Sequence, residues 1–294
     1  MTARHVRRPV VAGQFYEGSA SALRRAVAGC LGSYEPPSDL GEVVGGVVPH
    51  AGWMFSGPTA AKVFRTLATR VQPDVYVLFG AVHRWGVDGP AAYPGGAWAT
   101  PLGEVAVGEE LVHRIISRGK GLVIASAEAH EGEHSIEVQI PFIQVLSPRA
   151  TIVPIAVPPV PEAVAVGQAV GEAVTGFPRR VAIVASTDLT HYGMGYGTPD
   201  RGPLPEAMPW MRENDQRIIR LMESLDAESI CPEAARHYNA CGAGAVAAAT
   251  SGARVLGATR GRVLEYTTSA DVMHERYADR AVGYVAVVFE KSAR

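Results

Sequence analysis

Two spacings of apolar residues alternate along the chain. Short runs of consecutive apolar residues, typical of strands buried on both faces, cover residues 43–49, 75–82 and 181–185. A short β-branched segment at 151–157 and two late segments near 262–268 and 281–289 are also predicted to be strands. Stretches with apolar residues three or four positions apart, which predict helices, cover residues 19–31, 58–69, 109–118, 133–146, 161–174, 208–225, 232–238 and 243–251. Ser19 suits a helix N-cap and Pro58 a first helical position. Residues 84–108 are rich in Gly and Pro, which predicts an irregular excursion over the surface.

This alternation of strands and helices predicts an α/β fold, with three layers (α/β/α) around a mostly parallel central sheet. The chain has 294 residues, 47% of them hydrophobic, which is enough for one large core. Its composition does not break anywhere, so we expect a single domain over residues 1–294.

Charge and composition exclude several classes of function. A net charge of -2 gives no electrostatic footprint for nucleic acid or for an anionic membrane. No apolar run approaches the roughly 20 residues that span a bilayer, and no apolar signal-peptide core follows the basic N-terminus. Three widely spaced cysteines do not indicate a disulfide framework. We therefore expect a cytoplasmic protein.

Candidate chemistry is concentrated where the predicted strands and one helix begin or end. His50 and His83 each end an apolar run, the pair Asp188 and His191 follows another, and Cys241 precedes an Ala-rich helix. In an open parallel sheet, ligands bind outside the carboxyl ends of the strands. Two imidazoles and one thiolate at that edge would suit a transition metal. Imidazoles also exchange protons near neutral pH, so His191, oriented by Asp188, is a candidate general acid or base.

Each of these residues also has a purely structural explanation. A lone histidine at a strand end is more often a hydrogen-bonded structural group than a ligand. Cys241 could be a small buried residue in a tightly packed segment, and Asp188 could cap the loop that follows it. It is the occurrence of three histidines at three strand ends, together with the cysteine, that favours a site.

A second polar cluster lies at residues 133–137. If this segment is helical, Glu133 and Glu137, four positions apart, share one helix face. Glu133 and His134 could simply start the helix, or the cluster could hold a metal-bound histidine.

Five segments form a recognisable pattern: VAGQFY at 11–16, PHAGWMFSG at 49–57, EHSIE at 133–137, STDLTHYG at 186–193 and CG at 241–242. Together they resemble the Memo-like family, whose prokaryotic members include protein B of the AmmeMemoRadiSam system. The resemblance runs in order from about Pro9 to Phe289. One departure is the Gly80-Ala81-Val82 sequence, where the family usually has Gly-Pro before the second histidine.

The resemblance implies a fold shared with the class III extradiol dioxygenases, which are non-heme iron enzymes. It implies that His50, His83 and Cys241 are metal ligands, with cysteine in place of the dioxygenase glutamate, and that His191 is catalytic. Family members are associated with iron or copper and with redox chemistry. We also expect a set of residues to line the pocket or support the ligands: Phe15, Trp53, Phe55, His134 and Glu137.

The leading hypothesis is therefore an oxidoreductase that depends on iron, as Fe(II), or on copper, and acts on a small-molecule substrate, with O₂ as a candidate co-substrate. Two alternatives stay open. One is a cysteine-dependent hydrolase or transferase with Cys241 as the nucleophile and His83 or His191 as its base. The other is a non-catalytic binding module that uses the same pocket. Protein partners and the substrate are not specified by the sequence.

Overall fold

Nine strands form the central sheet of the protein, as seen in a computed structural model that describes residues 5–198, 200–274 and 279–292. Three further strands, β1, β5 and β6, form a separate small sheet. In chain order the strands of both sheets are β1 Val6–Arg7, β2 Val43–Val48, β3 Val75–Gly80, β4 Ala91–Ala92, β5 Ala97–Thr100, β6 Gly103–Ala106, β7 Ile124–Ala125, β8 Thr151–Ala156, β9 Val181–Ser186, β10 His191–Gly193, β11 Arg260–Thr268 and β12 Arg280–Glu290. The helices are α1 Ala20–Leu31, α2 Trp53–Arg70, α3 Glu109–Gly119, α4 Ile140–Leu146, α5 Ala163–Val174, α6 Leu204–Glu223, α7 Ala227–His237, α8 Ala243–Val255 and α9 Ser269–Met273.

The main sheet is parallel at its centre and antiparallel towards both sides. Its spatial order is β10-β12-β2-β9-β3-β8-β4-β7, and β11 also pairs with β12. The strands β2, β9, β3 and β8 are mutually parallel, while β12 and β4 run antiparallel to their neighbours β2 and β8. Every residue of β2, β3 and β9 is buried, as expected for strands covered by helices on both faces. The expected α/β fold is confirmed.

Helices cover this sheet in two groups. Helix α2 packs on β2 and β12, and α1 and α4 pack against α2. Helix α8 packs on β2, β9 and β3, and α5 and α7 pack against α8. The close approach of α8 depends on Gly242, its N-cap, because a Cβ there would lie 2.2 Å from the carbonyl oxygen of Ser186 at the end of β9. This contact brings the start of α8 to the carboxyl end of the parallel strands.

Three local predictions were wrong. Helix α2 begins at Trp53 instead of Pro58, because the Gly52 carbonyl oxygen accepts the N–H groups of Phe55 and Ser56 and closes a first turn ahead of the proline. Residues 84–108 are partly regular, since β4 joins the main sheet and β5 and β6 form a small sheet with β1. Residues 133–136 are not helical, and a 3₁₀ turn at Glu137–Gln139 precedes α4.

None of the helices within the described part of the chain is long and apolar enough to cross a membrane.

Candidate metal centre

The carboxyl end of the parallel strands brings three potential ligands together. His50 lies two residues beyond β2, His83 three residues beyond β3, and Cys241 two residues before α8. One ligand atom from each of them lies within 4.8 Å of the other two. The Nε2 atom of His50 is 3.2 Å from the Sγ atom of Cys241. The residues that the sequence placed at separate element ends therefore form one cluster.

The His50 imidazole is held by a neutral hydroxyl. Its Nδ1 atom is 3.0 Å from the Oγ of Ser186. That hydroxyl donates its single proton to the carbonyl oxygen of Ser135 and also accepts an N–H from Gln139. Since a hydroxyl carries one proton, Nδ1 of His50 must donate to Ser186. The Nε2 atom, which faces Cys241, therefore carries the free lone pair.

The His83 imidazole is held by a carboxylate. Its Nδ1 atom lies 3.1 Å from Oε1 of Glu133, and its backbone N–H donates to Oε2 at 2.8 Å. The same carboxylate accepts the backbone N–H groups of His134 and Ser135, both at 2.8 Å. A carboxylate that accepts the Nδ1 proton of a histidine orients the ring and leaves Nε2 for a metal.

Charge distinguishes the two imidazoles. Burial, assisted by the nearby His83 and His134, lowers the pKa of His50 well below its ordinary value. Burial also acts to lower the pKa of His83, but Cys241 and Glu133 outweigh it and raise that pKa to about 10. Burial acts to raise the pKa of Glu133, and the hydrogen bonds from His83 and the backbone hold it far below its ordinary value instead.

Cys241 is partly buried, and the loop after β9 surrounds its sulfur. The backbone N–H of Asp188 donates to Sγ at 3.3 Å, and the hydroxyl of Thr187 lies 4.0 Å away. Burial raises the pKa of the thiol, and the neighbouring His83 opposes that rise. A metal ion would supply the positive charge that favours the thiolate.

Asp188 connects the cysteine to the first histidine. Its backbone binds Cys241, and its buried Oδ1 accepts the backbone N–H groups of His50 at 2.7 Å and Ala51 at 3.3 Å. Burial raises the pKa of this carboxyl, and the charge of His191 opposes the rise.

His191 lies beside this cluster. Its Nδ1 atom donates to the carbonyl oxygen of Leu189 at 2.9 Å, since a carbonyl can only accept. Its ring lies edge-on to Tyr196. In the neutral imidazole, Nε2 is therefore the atom with a lone pair.

A pocket of about 580 Å³ opens over the two histidines of the cluster. Its walls include His50, His83, His134, Asp188 and His191, together with mostly apolar side chains: Phe15, Met54, Phe55, Tyr196, Met273 and Val282. Pockets of this size bind small molecules by burying an apolar body against a few fixed polar groups.

A second combination of potential ligands, His83, Glu133 and His134, also lies close enough to hold an ion. Both oxygens of Glu133 are already occupied by the four donors described above. The His134 ring stacks on that of His83, with centroids 5.0 Å apart. We therefore assign Glu133 to orienting His83, and His134 to the wall of the pocket.

The structure does not bring two of the expected residues to the cluster. Trp53 is buried, stacks on Phe142 and donates from Nε1 to the carbonyl oxygen of Val138. Glu137 binds Arg7 and the hydroxyl of Tyr16. Because residues 133–136 are not helical, the two glutamates do not share a face, and Glu133 alone contacts a histidine.

Sequence reasoning missed Ser186 and Gln139, which fix the His50 ring. Both residues are polar and lie in otherwise apolar segments: Ser186 is the last residue of a buried strand, and Gln139 is buried next to apolar residues. Because buried polar groups require hydrogen-bond partners, each of them could have been predicted to bind another side chain.

A mixed sheet with parallel central strands, and a His-His-Cys cluster at their carboxyl ends, defines an α/β protein with a candidate transition-metal centre. Sequence comparison identifies the family: residues 7–288 match the profile of the Memo-like protein family. The chain belongs to the Memo-like family, as its motifs predicted.

Curated relatives agree with this assignment over their full lengths. A MEMO1 family protein of Thermococcus onnurineus is 38% identical over 295 residues, covering 97% of this chain and 100% of that protein. A MEMO1 family protein of Pyrococcus abyssi is 38% identical over 303 residues, with the same coverage of both chains. One from Methanopyrus kandleri is 34% identical, covering 97% and 99%.

A solved structure shares the fold. The chain is similar to that of the uncharacterized protein JW3007 from Escherichia coli K12, with a TM-score of 0.51 and 13% sequence identity. The match covers 83% of this chain and 99% of that one. At this identity the likeness concerns the fold alone.

Proposed function

We propose that this protein is a metal-dependent oxidoreductase that holds Fe(II) or copper through Nε2 of His50, Nε2 of His83 and Sγ of Cys241. The observation that carries the proposal is the orientation of the two rings. Each histidine donates its Nδ1 proton to a partner behind it, which leaves its Nε2 atom available. Nε2 of His50 lies 3.2 Å from the cysteine sulfur, and a ligand atom of His83 lies within 4.8 Å of both.

The donor set fits such an ion. Two donors of one tetrahedral ion lie roughly 3.5 Å apart, and the His50 Nε2–Cys241 Sγ distance of 3.2 Å is close to that value. Imidazole suits both iron and copper, and a thiolate favours the softer copper. When bound, either metal would supply one-electron redox chemistry and an open position for a substrate or O₂.

The rest of the chemistry belongs to the chain itself. His191 is the proposed acid or base, because Nε2 of its neutral imidazole is free to exchange a proton with a molecule in the pocket. Asp188 holds the backbone of His50 and the sulfur of Cys241 in their relative positions. The mostly apolar wall would bury the body of the bound substrate, which is a small molecule by the size of the pocket.

The deciding measurement is the metal content of protein purified without oxygen. Wild type should contain stoichiometric iron or copper, and Cys241→Ser should lose most of it because serine offers no comparable soft donor. Cys231→Ser is the matched control, since Cys231 is equally free and partly buried but lies in α7. His191→Ala should keep the metal while its oxygen uptake, with ascorbate as electron donor, falls about 10²–10⁴-fold. Equal metal content in Cys241→Ser and wild type would exclude the proposed centre.

A second candidate is a cysteine-dependent hydrolase or transferase. The sequence suggested His83 or His191 as the base. The observation in favour of this candidate is instead the 3.2 Å contact with His50, whose unprotonated Nε2 could accept the proton of the Cys241 thiol. This candidate requires full activity in the presence of chelator and a covalent adduct on Cys241 detectable by mass spectrometry. Neither outcome is expected of a metal ligand.

A further inference from the structure

Arg7 is a buried cation far in sequence from the cluster. Only 7% of the residue is exposed, and its guanidinium lies 4.1 Å from the centre of the Trp98 ring. Its Nε donates to the carbonyl oxygen of His130 at 3.0 Å, its Nη2 to that of Glu133, and its Nη1 to the Glu137 carboxylate at 2.8 Å. One side chain therefore makes hydrogen bonds to three residues of the segment formed by residues 130–139.

That segment is the support of both histidines. The Glu133 side chain accepts the Nδ1 proton of His83. The Ser135 carbonyl oxygen and the Gln139 amide bind the Ser186 hydroxyl, which in turn accepts the Nδ1 proton of His50. The position of the backbone over residues 133–139 thus sets the direction of both rings.

We propose that Arg7 is a positioning residue for the His50–His83 pair, acting through residues 130–139 without touching either ring. This inference rests on the proposed function, because the two rings are positioned to bind a metal, but the orientation of the rings can be measured without metal. A guanidinium suits the task because its planar fork donates in several fixed directions at once. Lysine would keep the charge for Glu137 but cannot reproduce three donors in those directions.

Glu137 has a separate role that the test must distinguish. Besides Arg7, it binds the Tyr16 hydroxyl and the backbone N–H groups of Val10 and Val11. Removing Arg7 alone would leave this buried carboxylate without its cation, which is strongly destabilising in itself. The informative variants are therefore Arg7→Lys and the double variant Arg7→Met/Glu137→Gln, in which neither charge is left unpaired.

The experiment records the ¹H–¹⁵N correlations of the imidazole nitrogens in the metal-free, full-length protein. In wild type, the Nδ1–H groups of His83 and His50 should give hydrogen-bonded signals. Both variants should shift or broaden the His83 signal most, because Glu133 is contacted by Arg7 itself, and the His50 signal less. Affinity for Cu(I), measured by competition with a chelating dye, should fall roughly 10–100-fold, as for other supports of metal ligands.

A second ion pair with a buried carboxylate provides the control. Arg260, whose side chain is 58% exposed, donates to Glu290, whose side chain is 1% exposed, and this pair lies on β11 and β12 away from the cluster. Arg260→Met/Glu290→Gln should lower the melting temperature without moving the imidazole signals or the Cu(I) affinity.

The positioning role is overturned if folded Arg7→Lys and Arg7→Met/Glu137→Gln keep both imidazole signals at their wild-type positions. It is also overturned if the Arg260 control moves those signals equally, which would make them a report of stability alone. If wild type binds no Cu(I) or iron, the proposed function fails, while the imidazole signals still decide the role of Arg7.

Discussion

The two histidines of the candidate centre reach the same orientation by different means. His50 is almost fully buried, and its Nδ1 proton goes to the neutral hydroxyl of Ser186. The side chain of His83 is 33% exposed, and its Nδ1 proton goes to the carboxylate of Glu133. The first arrangement keeps the imidazole neutral, whereas the second stabilises its protonated form. The difference means that a metal must displace a proton from His83 but not from His50.

The largest effect expected from this comparison is on pH dependence. Because the pKa of His83 in the metal-free protein is raised to about 10, metal binding below that pH releases its proton, and this proton alone should make affinity rise about tenfold per pH unit. Burial also raises the pKa of the Cys241 thiol, so a proton displaced from the cysteine should make the rise steeper still. Calorimetry in buffers of different ionisation enthalpy measures the released protons, and a flat profile between pH 7 and 9 would contradict the assignment.

The raised pKa of His83 has the opposite effect on the stability of the metal-free protein, which should fall as the pH rises. A raised histidine pKa stabilises the fold fully below the ordinary value of 6.5, and that contribution is lost as pH rises through about 10. Metal-free protein should therefore lose stability over the range in which metal affinity increases.

Next in size is the effect of Glu133→Gln. The amide cannot accept the four donors that the carboxylate binds, so the His83 ring loses its orientation, and metal affinity should fall about 100-fold. Without the carboxylate, the pH dependence should also become shallower. Glu131→Gln is the matched control, because Glu131 is an exposed neighbour. Competition titrations at pH 7 and pH 9 test both expectations.

A smaller loss is expected for Ser186→Ala. This change removes the acceptor of the His50 Nδ1 proton but alters no charge, so metal affinity should fall by about tenfold and the pH dependence should stay as in wild type. Ser135→Ala deletes another buried hydroxyl, which donates to the Ala81 carbonyl oxygen, and should leave affinity unchanged. An equal loss in the two variants would show that the His50 support is not specific.

The smallest effect is expected far from both histidines. Ser19 caps α1 by accepting the N–H of Ala22, at the exposed surface. Ser19→Ala should lower stability by roughly 0.5–1 kcal/mol, as for other N-caps, and leave metal affinity unchanged. Chemical denaturation beside a metal titration checks this. A change in affinity here would mean that metal binding follows global stability, and would weaken the contrast between the two histidines.

The spacing of apolar residues in the sequence was enough to predict most of the strands and helices. Apolar runs of five to eight residues become buried parallel strands when helices separate them, and the residues that follow such a run lie at the sheet edge where ligands bind. This is why the sequence alone could assign His50, His83, Asp188 and His191 to one edge of the sheet, whereas Cys241 was assigned there by its position at the start of a helix.

Periodicity failed where a side chain competed with the backbone. Glu133 accepts the N–H groups of His134 and Ser135, which replaces the hydrogen bonds of a helix over residues 133–136. That local conformation sends Glu133 to His83 and Glu137 to Arg7, so the choice between two similar glutamates could not be read from their spacing.

The sequence by itself therefore determined the α/β class, the family and the set of residues that meet at the sheet edge, because these follow from local patterns and motifs. Only the tertiary structure decided which nitrogen of each histidine faces the cysteine and which groups enforce that choice. The partners of His50, His83 and Glu137 lie between 50 and 136 positions away along the chain. Hydrogen bonds of that kind depend on how the strands and loops are arranged in space, and no pattern of neighbouring residues records them.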